Sequence, residues 1–257
     1  MLDGLLSDQR ADGGFGVHPY SKWKGAHWRL VSLVELGIPR TNRAAKAAAN
    51  TVLDWIAAPS EAHVIRGRER RHASMEGNAL AVCCRLGMAN NPRASHLVNV
   101  LLRSQWPDGG WNCDPSPEAW RSSFHESLAP IWGLIEYHQA TGDARAKKAA
   151  LRTCELLLDH HLFRSKRTGE AIHPEWLQIH WPHYWHYDAF NSLRMIARAG
   201  VLNDSRADDA KELLMSRRRN DGTWRVSGHC YWRRETEAVF WGDAHQIVTS
   251  SARAVLQ

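Results

Sequence analysis

Gln105-Trp106-Pro107-Asp108-Gly109-Gly110-Trp111 is the stretch on which the reading of this chain turns. Asp-Gly-Gly supplies a positive-φ turn that ends a helix, a conformation glycine adopts without the penalty a Cβ would bring. The closing tryptophan is a large apolar plug with a single N–H to satisfy, suited to the joint between neighbouring helical hairpins. Two weaker copies stand elsewhere, Gln9-Arg-Ala-Asp-Gly-Gly-Phe15 and Asn220-Asp-Gly-Thr-Trp224. Each copy follows a leucine-rich helical run and precedes a second one. A phrase that recurs at such places marks a repeat architecture.

Working outward, five units follow, each an outer helix, a turn or loop, and an inner helix. The first runs from Met1 to about Pro39, with His27 to Gly37 as inner helix. The second pairs an alanine-rich outer helix, Asn42 to Ala57, with Met75 to Leu86. In the third, Pro92 opens the outer helix and Phe124 to Leu134 continues after the glycine turn. The fourth has Ala144 to His161, a long insertion over 162–187, then Asp188 to Ala199. The fifth has Ser205 to Arg218 and a last helix from about Asp243. Leucine and alanine recur at helical spacing throughout, and no segment gives a convincing strand. The expectation is one all-α domain over 1–257. Both ends read as clipped, and five inner helices are one short of a closed six-hairpin ring.

The bulk composition excludes several classes. No run of about 18 apolar residues exists, so no transmembrane segment is expected. The N-terminus lacks the basic start and apolar stretch of a secretory signal. Five cysteines, at 83, 84, 113, 154 and 230, show no Cys-x-x-Cys pattern, which suits free thiols in a reducing cytoplasm. Lys and Arg exceed Asp and Glu by 33 to 27, and the excess sits in short arginine clusters that read as solvated ends rather than a nucleic-acid surface. No phosphate-cradling glycine loop and no Gly-x-Ser-x-Gly elbow is present. The 13 tryptophans and 15 histidines are unusual, and so many indoles should fill repeat joints or line a cavity.

The repeated phrase resembles the QW motif of the terpene cyclase and prenyltransferase superfamily, in which a Gln, a Gly and a Trp tie successive hairpins of an α/α-toroid together. The likeness covers essentially the whole chain as a repeat pattern. It implies an α/α-toroid with a central cavity and an isoprenoid or similarly apolar substrate. The Asp-x-Asp-Asp of squalene-hopene-type cyclases is absent; the nearest counterpart is His186-Tyr187-Asp188, at the start of the fourth inner helix. The zinc set of protein prenyltransferase β subunits, an Asp-x-Cys and a His, is met only in part. His125 looks like the His element, but Asp188-Ala189-Phe190 has Phe where the Cys belongs.

The densest constellation is Ile179-His-Trp-Pro-His-Tyr-Trp-His-Tyr-Asp-Ala189. Three readings stay open. Asp188, its pKa raised by an aromatic surround, could protonate an alkene with His186 as partner, the aromatics then stabilising carbocations. His183, His186 and Asp188 could instead hold zinc or iron with coordination positions left open. Or the rings simply plug a joint between repeats. His125 and His27 share a register, with leucine three residues on in both, and His245 is the third candidate in that series. Glu76, Glu126 and Asp243 at inner-helix starts are weaker candidates, and Cys113-Asp114 and His229-Cys230 are faint sources of soft ligands.

The leading expectation is a terpene cyclase or prenyltransferase-like enzyme acting on an apolar small molecule without a required cofactor. Asp188 would be the acid, with His186 and His125 as polar partners. Trp111, Trp181, Tyr184, Trp185, His27 and His245 would face the substrate. The alternatives are a zinc or iron enzyme built on His183, His186 and Asp188, or a non-catalytic toroid that binds peptide or lipid. A peripheral membrane contact is compatible with each.

Overall fold

The computed structural model describes residues 2–59, 61–227 and 234–257, and the side chains of all of these except 234–243. Among them are ten α-helices: α1 (Leu2–Leu6), α2 (Ala26–Glu35), α3 (Arg43–Ile56), α4 (Ala73–Arg85), α5 (Pro92–Ser104), α6 (Phe124–Thr141), α7 (Ala144–Leu158), α8 (Ala189–Arg198), α9 (Asp208–Ser216) and α10 (Arg234–Leu256). The chain is all-α apart from one two-stranded hairpin, β1 (Val64–Ile65) and β2 (Arg68–Glu69). That hairpin escapes the sequence reading because its turn, Arg66-Gly67, has positive φ at both residues and an arginine where Asn or Asp would signal it. The last helix also begins earlier than Asp243.

Short polar side chains start the helices by accepting from backbone N–H groups that a first turn leaves unpaired. Asn42 accepts from Ala45, Asn91 from Arg93, and Asp143 from Arg145, each at 2.9–3.0 Å. Gly142 caps α6 in the left-handed conformation.

Two kinds of helix separate by burial. In α3 the buried positions are Ala45, Ala48, Ala49, Val52 and Leu53, a single stripe facing inward. In α6 every residue from Glu126 to Ile135 is buried, and α4 is buried nearly as completely. Stripe-faced α3, α5, α7 and α9 pack outside α2, α4, α6 and α8, which contact one another in that order. At the α4–α6 crossing the backbones touch. A Cβ on Gly77 would stand 2.4 Å from the nitrogen of Pro130, and one on Gly133 would stand 2.4 Å from the carbonyl oxygen of Gly77.

The repeated phrase is legible bond by bond. Gln105 Nε2 donates to the carbonyls of Gly109 (2.8 Å) and Ala149 on α7 (2.9 Å). Gln9 Nε2 donates in the same way to Gly13 and to Ala44 on α3, both at 2.8 Å. Trp111 Nε1 donates to Leu101 and Trp224 Nε1 to Leu214, each ten residues back. The backbone N–H of Trp111 donates to Ser127, and that of Trp224 to Thr249.

Candidate functional site

One cavity of about 20 Å³, in narrow clefts, lies where α2, α4, α6 and α8 converge beside the segment 182–186. Val31, Leu128, Ala129, Trp132 and Met195 make its apolar wall. Glu35, Asn78, Asn191 and Arg194 add polar groups at the same place, and three imidazoles, of His125, His183 and His186, complete it.

The buried charges are matched. Arg194 pairs with Glu35, and Arg198 Nη2 lies 3.0 Å from the other oxygen of the same carboxylate. Burial alone would raise the pKa of Glu35, but the two guanidiniums overcome it and keep the carboxylate ionised. Arg194 Nη1 also donates to Asn191 Oδ1 at 3.1 Å. Asn78 Nδ2 holds the segment 182–186 in place through the carbonyl of Tyr184 at 2.8 Å.

The imidazoles are neutral. Desolvation pushes His186 down to about 3, with His125 and His180 adding repulsion. His183 is lowered by burial first and by Arg194 second. His125 is lowered by burial, and its Nδ1 accepts the N–H of Tyr187 at 3.0 Å, which places the ring proton on Nε2. His183 is buried with neither ring nitrogen hydrogen-bonded among the described residues; its Nδ1 stands 3.8 Å from Asp188. An unpaired buried polar group costs about 1–3 kcal/mol, so a partner there would be stabilising.

Asp188 is wholly buried and caps α8, accepting from Asn191 N–H at 2.6 Å. Its other oxygen receives His180 Nδ1 at 3.0 Å and the His180 backbone N–H at 3.1 Å. Burial would raise its pKa, but His180 and His183 hold it well below the usual carboxylate range. His180 moves the opposite way, drawn up by Asp188 against its own desolvation. The raised pKa expected from an aromatic surround is thus reversed, and the partner is His180 rather than His186.

The other sequence candidates divide. Tyr184 and Trp185 line the cavity, Trp185 with its ring 3.8 Å from that of His186. Trp111 is buried between α5 and α6 and Trp181 is buried outside the lining, so neither is cavity wall. His27 faces a separate small void with Ala49, Val52, Ala79 and Val82, on the α3 side of its helix. His245 accepts from Val226 N–H at 3.3 Å. Since Thr249 plays the part of Ser127, His245 lies four residues before its anchor and His125 only two, so the two histidines are not equivalent. His183, His186 and Asp188 do not gather as one ligand set: Asp188 is committed to His180 and the α8 start, and His186 lies tilted against the Trp185 ring. Asp243 and His229-Cys230 lie outside the described side chains.

Glu35, Asn78 and Arg194 went unnoticed in the sequence. The available signal was a charge at an otherwise buried helical position, as at Arg194 within Asn-Ser-Leu-Arg-Met-Ile. A second convergence, of His72, Cys113 and Glu126, also appears only in three dimensions. Cys113 first and Glu126 second push the His72 imidazole up to about 10.

The fold and cavity together define an all-helical protein with a polar-and-aromatic pocket at the meeting point of its buried helices. No family model matches the chain, and no curated protein matches it. No helix among the described residues is long and apolar enough to cross a membrane.

Proposed function

We propose that the chain is an α/α-toroid enzyme, terpene cyclase or prenyltransferase-like, that takes an isoprenoid or similarly apolar small molecule into the cavity between α2, α4, α6 and α8. The observation that carries the reading is three neutral imidazoles beside Trp132, Tyr184 and Trp185 in one enclosure whose remaining charges, Glu35 and Arg194, are paired with each other. Aromatic faces stabilise positive charge, and neutral imidazole accepts protons, as ending a carbocation sequence requires. His183 and His186 therefore take the proton-transfer role, with Asp188 fixing the segment through His180 and the start of α8. The clefts are narrow, so substrate enters by displacing the 182–186 segment. The Gln9 and Gln105 ties support the toroid arrangement, since both join a glycine turn to the following outer helix.

Farnesol and farnesyl diphosphate are the probes. Tryptophan fluorescence reads binding and mass spectrometry of extracts reads product. Saturable binding weakened at least tenfold by Trp185→Ala is expected, with turnover reduced about 10²–10⁴-fold by His183→Ala. Binding of neither probe, or binding indifferent to Trp185→Ala, overturns the reading. Binding without product in the unaltered protein makes the cavity a carrier site.

A further inference from the structure

At the N-terminal ends of α4 and α6, outside the cavity, three segments distant in sequence bring unlike ligand atoms together. His72 caps the start of α4, Cys113 sits two residues past the Trp111 joint, and Glu126 lies in the first turn of α6. One donor atom from each lies within 4.8 Å of the other two. The supports are built. Glu126 Oε2 accepts the N–H of Ser74 at 2.9 Å, and its Oε1 stands 3.6 Å from His72 Nδ1. The backbone beside Cys113 is held by Arg71 N–H on the carbonyl of Asn112 at 2.9 Å and by Asn112 Nδ2 on the carbonyl of Arg121 at 2.8 Å.

Glu76 lies one helical turn along α4 from His72. Its residue is buried and its Oε1 accepts from Arg71 Nε at 2.7 Å, while Oε2 has no hydrogen-bond partner among the described residues. The Arg71 guanidinium already balances the Glu76 charge, and Glu76 is not one of the three gathered ligands.

We propose that His72, Cys113 and Glu126 bind one Zn²⁺ ion and leave its fourth position open to a ligand from solution. A thiolate, an imidazole and a carboxylate form the mixed nitrogen, sulfur and oxygen set that zinc accepts, whereas calcium and magnesium want oxygen alone. Cys113 releases its thiol proton and His72 a ring proton to solvent as the sulfur–zinc and nitrogen–zinc bonds form, and thiolate plus carboxylate then cancel the charge of the ion. Three protein ligands describe a zinc site that keeps an open position, and the 64% exposed side chain of His72 puts that position at the surface. None of the three occupies a place where the family resemblance implies zinc: the α8 start carries Asp188 and Phe190, and the implied histidine is His125.

The test uses the metal alone and is independent of the cavity reading. The full chain, loaded with zinc and dialysed against a weak chelator, is measured by elemental mass spectrometry beside Cys113→Ser, His72→Ala and Glu126→Gln, with circular dichroism confirming helix content. His183→Ala is the comparison that removes an imidazole elsewhere. One equivalent in the parent and in His183→Ala, falling at least tenfold in the three variants, is expected. Cobalt substitution should give a near-ultraviolet thiolate charge-transfer band that Cys113→Ser abolishes. No retained zinc in the parent, equal zinc in parent and Cys113→Ser, or cobalt without that band overturns the proposal.

Discussion

His27 and His180 are both buried, yet their imidazoles move in opposite directions. His27 has Trp28 and Trp55 beside it, and desolvation alone pushes it down to about 3. His180 faces Asp188 and is drawn up. The consequence for His27 has a definite sign. Unfolded, it takes a proton near its ordinary value of about 6.5; folded, it does so only near 3, so the unfolded chain binds more protons between those values. Stability therefore falls as pH drops through that window, by up to about 1.4 kcal/mol per pH unit for this group. Urea unfolding midpoints at pH 7, 6 and 5 should fall less steeply in His27→Leu than in the parent. A slope unchanged by the substitution removes His27 as a contributor. Asp188 acts lower: its depressed pKa stabilises the fold above the ordinary carboxylate range and loses that contribution only in stronger acid.

The glycine turns set the limits of what an element tolerates. Gly109 has φ +101°, and a Cβ there would stand 2.5 Å from the carbonyl oxygen of Arg152 on α7; the corresponding Gly13 meets Ala47 on α3 at 2.7 Å. Gly142 also has positive φ, but nothing lies within 4 Å of an added Cβ. Gly142→Ala should therefore cost about 1–2 kcal/mol, the backbone penalty alone, and Gly109→Ala distinctly more, both read by urea unfolding. Equal losses would show that the close approach to α7 is relaxed without cost. These joints were legible in the sequence because turn chemistry is local: Gln and Gly make their bonds within a few residues or to the next outer helix. The helix starts read at Asn42, Pro92 and Ala144 were legible for a similar reason, although the caps Asn91 and Asp143 were not singled out. The facing of His27 and His125 was not. Both open a helix with leucine three residues on, but helix phase is set by what packs against it, and α3 claims the face that carries His27. Trp111 likewise spends its N–H on Leu101, a partner that the composition of the chain does not announce.

Over the whole molecule, α4 and α6 are closely packed, because at Gly77 and Gly133 no side chain separates their backbones. Both helices carry Glu126 or His72 at their N-terminal ends and reach the cavity through Asn78 and Leu128. Gly77→Ala must push them apart and should cost about 1–3 kcal/mol by urea unfolding, with helix content by circular dichroism unchanged. A neutral result would mean that α6 shifts freely. The segment over 182–186 is held against α4 by the Asn78–Tyr184 bond, against α2 by Ser32 and Trp28 on Tyr184, and against α6 by His125 beside Trp185. A molecule the size of farnesol exceeds the free space of this enclosure, so under the proposed function its entry requires 182–186 to withdraw, and the entry rate should level off with concentration in stopped-flow tryptophan fluorescence.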